Sequence, residues 1–120
     1  MSKLQVHVGK SAGVAAMGER FASAWRRASA GETVDERHLS FGTLEEAATI
    51  LTPRRLELLR EIHRAPAANV RALATALGRN YKNVHGDVQE LLTAGAIDRD
   101  DAGALHADYD GIAVELAIAL

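Results

Sequence analysis

The 120-residue sequence contains no cysteine, and this absence removes several classes of site at once. Disulfide bonds are excluded, and so are metal centres that depend on thiolate ligands. The sequence also lacks an apolar run long enough to span a bilayer. Residues 1–8 alternate between polar and apolar side chains, whereas a signal peptide requires a continuous apolar stretch. We therefore expect a cytoplasmic protein with no membrane partner.

Sequence signatures of catalysis and of cofactor binding are missing as well. The histidines fall at positions 7, 38, 63, 85 and 106, and no two have the i, i+4 spacing typical of a zinc site on a helix. No glycine-rich phosphate loop is present. We expect no catalytic residues, no metal and no cofactor, and we interpret the chain as a protein that is not an enzyme.

The net charge of −2 hides an uneven distribution along the chain. Residues 1–51 carry six basic and six acidic side chains, and residues 52–99 carry eight basic and five acidic ones. Residues 100–120 carry five acidic side chains and no basic one. The positive charge is therefore concentrated in one segment, where a polyanion such as DNA would be bound.

Hydrophobic periodicity predicts a strand–helix element in residues 1–42 and a separate domain in residues 43–120. Residues 3–8 alternate with a period of two, which predicts a strand, and residues 11–30 carry one apolar stripe, which predicts an amphipathic helix. Residues 112–120 predict a C-terminal strand with one apolar face, which could pair with the N-terminal strand of its own chain or of a partner. The predicted fold class is α+β, mainly α.

Capping residues predict four helices between residues 43 and 94. The predicted N-caps are Thr43, Thr52, Asn69 and Asn80. Glu46 follows Thr43 at the spacing of a capping box, and Pro53 suits the first helical position after Thr52. Gly78 permits the left-handed conformation that a tight turn between helices requires. Residues 96–99 then predict a strand, and residues 100–103 a turn.

Residues 70–94 have the pattern of a helix-turn-helix motif. Ala74 supplies a small residue where the two helices cross, and Gly78 supplies the turn. In the second helix Val84, Val88, Leu91 and Leu92 share one buried face. The opposite face carries Tyr81, Lys82, His85, Gly86 and Gln89, with Asn83 near its edge. This polar face could contact DNA, or it could simply be the solvated side of an amphipathic helix.

Residues 84–97 resemble the recognition helix and the following strand of winged helix-turn-helix regulators, broadly the MarR-like group of bacteria and archaea. Residues 51–60, 82–85 and 109–116 are more closely similar to a group of small prokaryotic DNA-binding proteins, described as regulators or as antitoxins. The resemblance covers roughly residues 39–120. It implies a winged helix-turn-helix fold and a double-stranded DNA partner.

The resemblance also implies which residues contact DNA. It places the helix of residues 80–94 in the major groove, where Lys82 and Asn83 would reach base edges. Tyr81 and His85 would contact a thymine methyl group or a phosphate. Arginines at helix starts would bind phosphate. The full set of expected DNA-binding residues is Arg71, Arg79, Asn80, Tyr81, Lys82, Asn83, His85, Gln89 and Arg99.

The wing departs from the pattern expected of a DNA-binding hairpin. Such a wing usually presents Lys or Arg to phosphate, whereas this one offers Arg99 and His106 against Asp98, Asp100, Asp101 and Asp108. Because like charges repel, we expect the wing to contribute little to DNA binding beyond Arg99.

The function implied is sequence-specific DNA binding by a homodimeric transcriptional regulator, acting as a repressor. A dimer would read two half-sites, and residues 11–30 and 112–120 are too apolar to remain exposed. Residues 1–42 would then serve dimerisation or partner contact. Two alternatives remain: an antitoxin that binds a toxin protein and autoregulates, or a winged helix that contacts only other proteins, which the acidic wing favours.

Overall fold

The computed structural model describes residues 2–9, 13–31 and 36–120, without the side chains of Val14 and Glu36. In this described part the chain forms five helices and five strands. The helices are α1 (Val14–Ser29), α2 (Leu44–Ile50), α3 (Pro53–Arg64), α4 (Val70–Leu77) and α5 (Tyr81–Ala94). The strands are β1 (Lys3–Gly9), β2 (Glu36–Phe41), β3 (Asp98–Arg99), β4 (Leu105–His106) and β5 (Gly111–Ala117). About half of the chain is helical, so the protein is a small α+β protein.

The chain divides into two compact units. Unit 1 comprises Met1–Ala47 and Gly111–Leu120, and unit 2 comprises Ala48–Asp110. This division differs from the boundary expected between residues 42 and 43. It falls within α2, and it assigns the C-terminal strand to the same unit as the N-terminal strand, because the two strands are hydrogen-bonded to each other.

Unit 1 contains a three-stranded sheet in the order β2-β1-β5, with both pairs parallel. The C-terminal strand therefore pairs with β1 of its own chain, one of the two arrangements left open by the sequence. Val6 of β1 lies opposite Leu39 on one side and Val114 on the other. At the end of β1 a side chain on Gly9 would meet the carbonyl oxygen of Ala117 at 2.3 Å, so only glycine fits there.

The predicted capping residues fix the helices of unit 2. The side chain of Thr52 accepts a hydrogen bond from the backbone N–H of Arg55, and Asn69 accepts one from Ala72. Gly78 and Gly95 adopt left-handed conformations, with φ of 63° and 84°. These local signals set the ends of α3, α4 and α5 where the sequence predicted them.

The core of unit 2 is formed by apolar side chains from α3, α4, α5 and the β3–β4 hairpin: Leu58, Ile62, Leu73, Val84, Val88, Leu91 and Leu105 are essentially inaccessible. Strand β3 is shorter than the predicted strand 96–99. The backbone N–H of Ala96 donates to the carbonyl of Leu91 at 2.9 Å and so completes the end of α5 instead. No helix in the described ranges has the length and apolar character needed to cross a membrane.

Candidate nucleic-acid interface

The polar side of α5 borders an open groove in unit 2, which we call the α4–α5 groove. Its volume is about 470 Å³, and it is lined by Asn69, Val70, Arg71, Tyr81, His85, Gln89, Arg99 and Gly103. The start of α4, residues 81–89 of α5 and the β3–β4 hairpin meet here. The groove thus brings together five of the nine expected DNA-binding residues: Arg71, Tyr81, His85, Gln89 and Arg99.

Three of the groove side chains are arranged in a row. The guanidinium carbon of Arg71 lies 5.0 Å from the ring centroid of Tyr81, within the range of a cation–π interaction. The Tyr81 ring in turn lies 5.9 Å from the ring of His85. Tyr81 remains 44% exposed, so it contacts Arg71 and is still accessible to solvent.

Asn80, Lys82 and Asn83 lie at the start of α5, and none of the three lines the groove. The side-chain oxygen of Asn80 accepts hydrogen bonds from the backbone N–H groups of Lys82 and Asn83, at 2.8 and 3.3 Å. Asn80 therefore acts as the helix cap, and its oxygen is already occupied. The side chains of Lys82 and Asn83 are exposed on the first turn of the helix.

Arg79 differs from the other expected contacts, because its charge is compensated inside unit 2. Its Nη2 donates to Oδ2 of Asp87 at 2.8 Å, and the other carboxylate oxygen of Asp87 accepts from Nε of Arg55 at 3.1 Å. The three side chains are only 13 to 16% exposed. Arg79 therefore ties α5 to the preceding turn, and it does not line the groove.

Arg55 extends this ion-pair cluster to α2. Its Nη1 donates to the backbone carbonyls of Thr49 and Ile50, at 2.9 and 3.2 Å. The cluster was not predicted from the sequence, because Arg55 and Asp87 are 32 residues apart and no local pattern joins them.

Asp100 builds the turn of the hairpin. Its Oδ1 accepts the backbone N–H groups of Ala102 and Ala104, both at 2.9 Å, and its Oδ2 lies 2.7 Å from Nε2 of His106. The hydrogen bond from His106, followed by that from Ala104, lowers the pKa of the Asp100 carboxyl. One of the four aspartates expected in a wing is thus engaged in shaping the β3–β4 hairpin that carries Arg99.

Three further residues line the groove that were not expected at this surface from the sequence: Asn69, Val70 and Gly103. Asn69 was expected only as a helix cap. Because a cap lies at the start of its helix, Asn69 lies at the same end of α4 as Arg71, which is two residues further along the chain. Gly103, with φ of +88°, belongs to the turn and brings its backbone to the groove edge. Among the described residues, no group of three or more His, Asp or Glu side chains is placed to hold a metal ion.

A protein-family model described as HVO_A0114 matches residues 50–114, which is more than half of the 120-residue chain. The matched segment includes α3, α4, α5 and the β3–β4 hairpin, and therefore every residue that lines the groove. No curated protein and no solved structure gives a significant match.

Proposed function

We propose that this chain, which belongs to the HVO_A0114 family, is a homodimeric winged helix-turn-helix regulator that binds double-stranded DNA sequence-specifically. In this proposal α4 and α5 form the helix-turn-helix, α5 enters the major groove, and the β3–β4 hairpin is the wing. Bound at a promoter, the dimer acts as a repressor. Its location is the cytoplasm.

The observation that carries the proposal is the composition of the α4–α5 groove. Two arginines, Arg71 and Arg99, flank a helix face with tyrosine, histidine and glutamine side chains. Arginine binds phosphate, and glutamine has the paired donor and acceptor that match adenine. Lys82 and Asn83, exposed on the first turn, add base-reading groups at the end of the helix that enters the groove first.

Exposed apolar side chains in unit 1 support the homodimer. Phe21 and Trp25 of α1 are 72% and 66% exposed, and Val114 and Leu116 of β5 are 55% and 52% exposed. Apolar groups in such number are characteristic of a protein–protein interface. A two-fold symmetric dimer would present two copies of α5 to two half-sites.

Fluorescence anisotropy over a salt series tests the DNA-binding proposal. The labelled duplex is the DNA upstream of the gene for this protein, and a shuffled duplex of equal composition is the reference. We expect tighter binding to the upstream duplex and steep weakening with salt. Replacing Arg71 or Arg99 by alanine should reduce the slope of log K against log [salt] by about one for each lost phosphate contact.

Arg60→Ala is the matched control, because Arg60 is also an exposed arginine of unit 2 and does not line the groove. It should leave the affinity close to that of the wild type. Lys82→Ala and Gln89→Ala should reduce discrimination between the two duplexes more than they reduce overall affinity. A folded dimer that binds neither duplex at low salt would contradict DNA binding and would favour a winged helix used for protein contact.

A second candidate function is an antitoxin, in which a toxin protein would cover the exposed apolar surface of unit 1. The two functions predict different states of the purified chain. A regulator of the first kind forms a dimer alone. An antitoxin of the second kind stays monomeric and protects those side chains only when its partner is present.

A further inference from the structure

Helix α1 presents an apolar side to solvent. Met17, Phe21 and Trp25 recur every four residues and are 48%, 72% and 66% exposed. Arg20, on a more buried face of α1, lies close enough to His7 of β1 to lower its pKa, second in effect to the burial of the imidazole. Arg20 and Phe21 are consecutive residues, so their side chains leave the helix about 100° apart around its axis.

The apolar stripe is evenly spaced about Phe21, with Met17 four residues before it and Trp25 four residues after it. If two copies of α1 pack antiparallel with Phe21 at the crossing point, Met17 of each copy meets Trp25 of the other. Gly18 then meets Ala24 of the other copy, so a small residue faces a small residue. The thioether of methionine against an indole is a favourable contact, and the small residues allow a close approach of the helices.

We infer that α1 is a dimerisation helix that takes a second copy of itself, in an antiparallel pair with Phe21 on the two-fold axis. This inference rests on the homodimer of the proposed function and names the surface that forms it. In an interface of this symmetry each contact between two different residues occurs twice. In the proposed pair this contact is the one between Met17 of each copy and Trp25 of the other.

The exposed area is appropriate for the centre of such an interface. At roughly 150–250 Å² for a complete aromatic side chain, the exposed parts of Met17, Phe21 and Trp25 amount to roughly 400 Å² in each copy. A stable dimer buries about 800 Å² per partner, and its centre is apolar and aromatic while its rim is polar. The stripe would therefore supply about half of the area that each partner buries.

The absence of cysteine makes this geometry directly testable, since each introduced cysteine is the only thiol in the chain. In the proposed pair, residue 21 faces its own copy, and helices 8–10 Å apart bring its two Cα atoms within disulfide range. Residue 17 of one copy lies opposite residue 25 of the other. The two copies of residue 17 are therefore separated by eight residues along the helix axis, or about 12 Å. This distance is too long for a disulfide bond.

Mild oxidation of purified single-cysteine variants should therefore give a characteristic pattern. Phe21→Cys should convert almost completely into a covalent dimer. Met17→Cys and Trp25→Cys should each remain uncross-linked alone and should form a mixed disulfide when the two proteins are combined. Glu19→Cys, on the exposed polar side of α1, is the control that should not cross-link. Cross-linking of Met17→Cys with itself would indicate a parallel pair and would overturn the inference.

Sedimentation of uncross-linked protein gives the second readout. Phe21→Arg should be monomeric at concentrations where the wild type is a dimer, whereas Leu116→Arg, which changes the exposed face of β5, should remain dimeric. If Leu116→Arg were monomeric and Phe21→Arg dimeric, the interface would lie on β5. If the wild type were monomeric, the apolar side of α1 would bind a different protein. Either result would overturn the inference.

These measurements involve no DNA, so their outcome is separable from that of the anisotropy experiment. A cross-linked dimer that fails to bind DNA would contradict only the proposed DNA binding. If the protein binds DNA but the cysteine variants do not give the expected cross-links, only the proposed α1 pair would be contradicted.

Discussion

At the scale of single residues, Asp87 is the point at which α5 is fixed to its surroundings. One carboxylate accepts hydrogen bonds from Arg55 of α3 and from Arg79 of the turn before α5. All three side chains are largely buried, so the pairs are shielded from salt more than surface pairs are. The orientation of the helix face that lines the groove therefore depends on a side chain that does not itself line the groove.

Replacing Asp87 by asparagine should destabilise unit 2 by about 1–3 kcal/mol, because two poorly exposed guanidinium groups lose their counter-charge. The measurement is urea unfolding followed by circular dichroism. Glu90→Gln is the matched control, since it removes the same charge from an exposed position of the same helix. A stability equal to that of the control would show that the ion pairs add nothing.

Gly86 offers a second prediction at this scale. It is exposed in the middle of α5, and a Cβ atom there would meet nothing within 4 Å. Because glycine costs a helix roughly 1 kcal/mol relative to alanine, Gly86→Ala should raise the free energy of unfolding. If the helix backbone approaches DNA closely at this point, the same variant should bind DNA more weakly. Higher stability with unchanged DNA affinity would mean that the glycine is merely tolerated.

At the scale of helices and strands, a feature can be predicted from the sequence when the interactions that form it are local. Asn69 and Asn80 cap α4 and α5 as predicted, since a cap requires only backbone groups two or three residues away. The partner of β5 could not be chosen from its alternating pattern, because that pattern defines a face and not a neighbour. Likewise, the pattern that placed Arg79 at a helix start gave no information about Asp87, eight residues later.

For the α4–α5 groove, too, the local pattern predicted some of the lining residues and missed others. The 3.6-residue period of α5 identified the exposed side of the helix, and Tyr81, His85 and Gln89 do line the groove. The contribution of Gly103 depends on the path of the hairpin, which is set by the bonds of Asp100 to Ala102, Ala104 and His106. Such bonds depend on three-dimensional geometry that periodicity does not specify.

The sheet of unit 1 should be sensitive to acid through His7. This side chain is 4% exposed, and its Nε2 lies within hydrogen-bond distance, 2.8 Å, of Nδ1 of His38. Burial, then the charge of Arg20, then His38 lower the pKa of His7, while Glu115, 3.8 Å away in β5, raises it. The folded protein therefore resists a proton that the unfolded chain accepts below about pH 6.5.

Because the folded pKa of His7 is the lower one, its contribution to stability is complete above pH 6.5 and is lost as the pH falls below that value. We expect the free energy of unfolding to decrease between pH 7 and pH 5 by at most about 1.4 kcal/mol per pH unit from this group. His7→Gln, measured by urea unfolding at each pH, should show a flatter dependence. Parallel curves for the two proteins would assign the acid sensitivity to other groups.

At the scale of the whole molecule, the two units carry different kinds of surface. Unit 1 exposes apolar side chains on α1 and β5, and unit 2 exposes basic and hydrogen-bonding side chains around α5. A chain with a net charge of −2 would attract DNA only through a local concentration of positive charge. In the proposed dimer that patch occurs twice, which doubles the number of phosphates that can be neutralised. The proposed dimerisation through unit 1 and the proposed DNA binding through unit 2 would therefore be energetically linked.

This linkage gives a quantitative prediction for Phe21→Arg, the substitution that should separate the two copies. If each copy neutralises the same number of phosphates, the slope of log K against log [salt] should fall to about half of the wild-type value. Affinity for a two-half-site duplex should fall by about a hundredfold or more, because the second α5 is no longer held nearby at high effective concentration. Binding to a single half-site should change little, since α5 and its groove are unaltered. An unchanged slope in a protein that sediments as a monomer would mean that one copy makes all the DNA contacts, and that dimerisation serves another purpose.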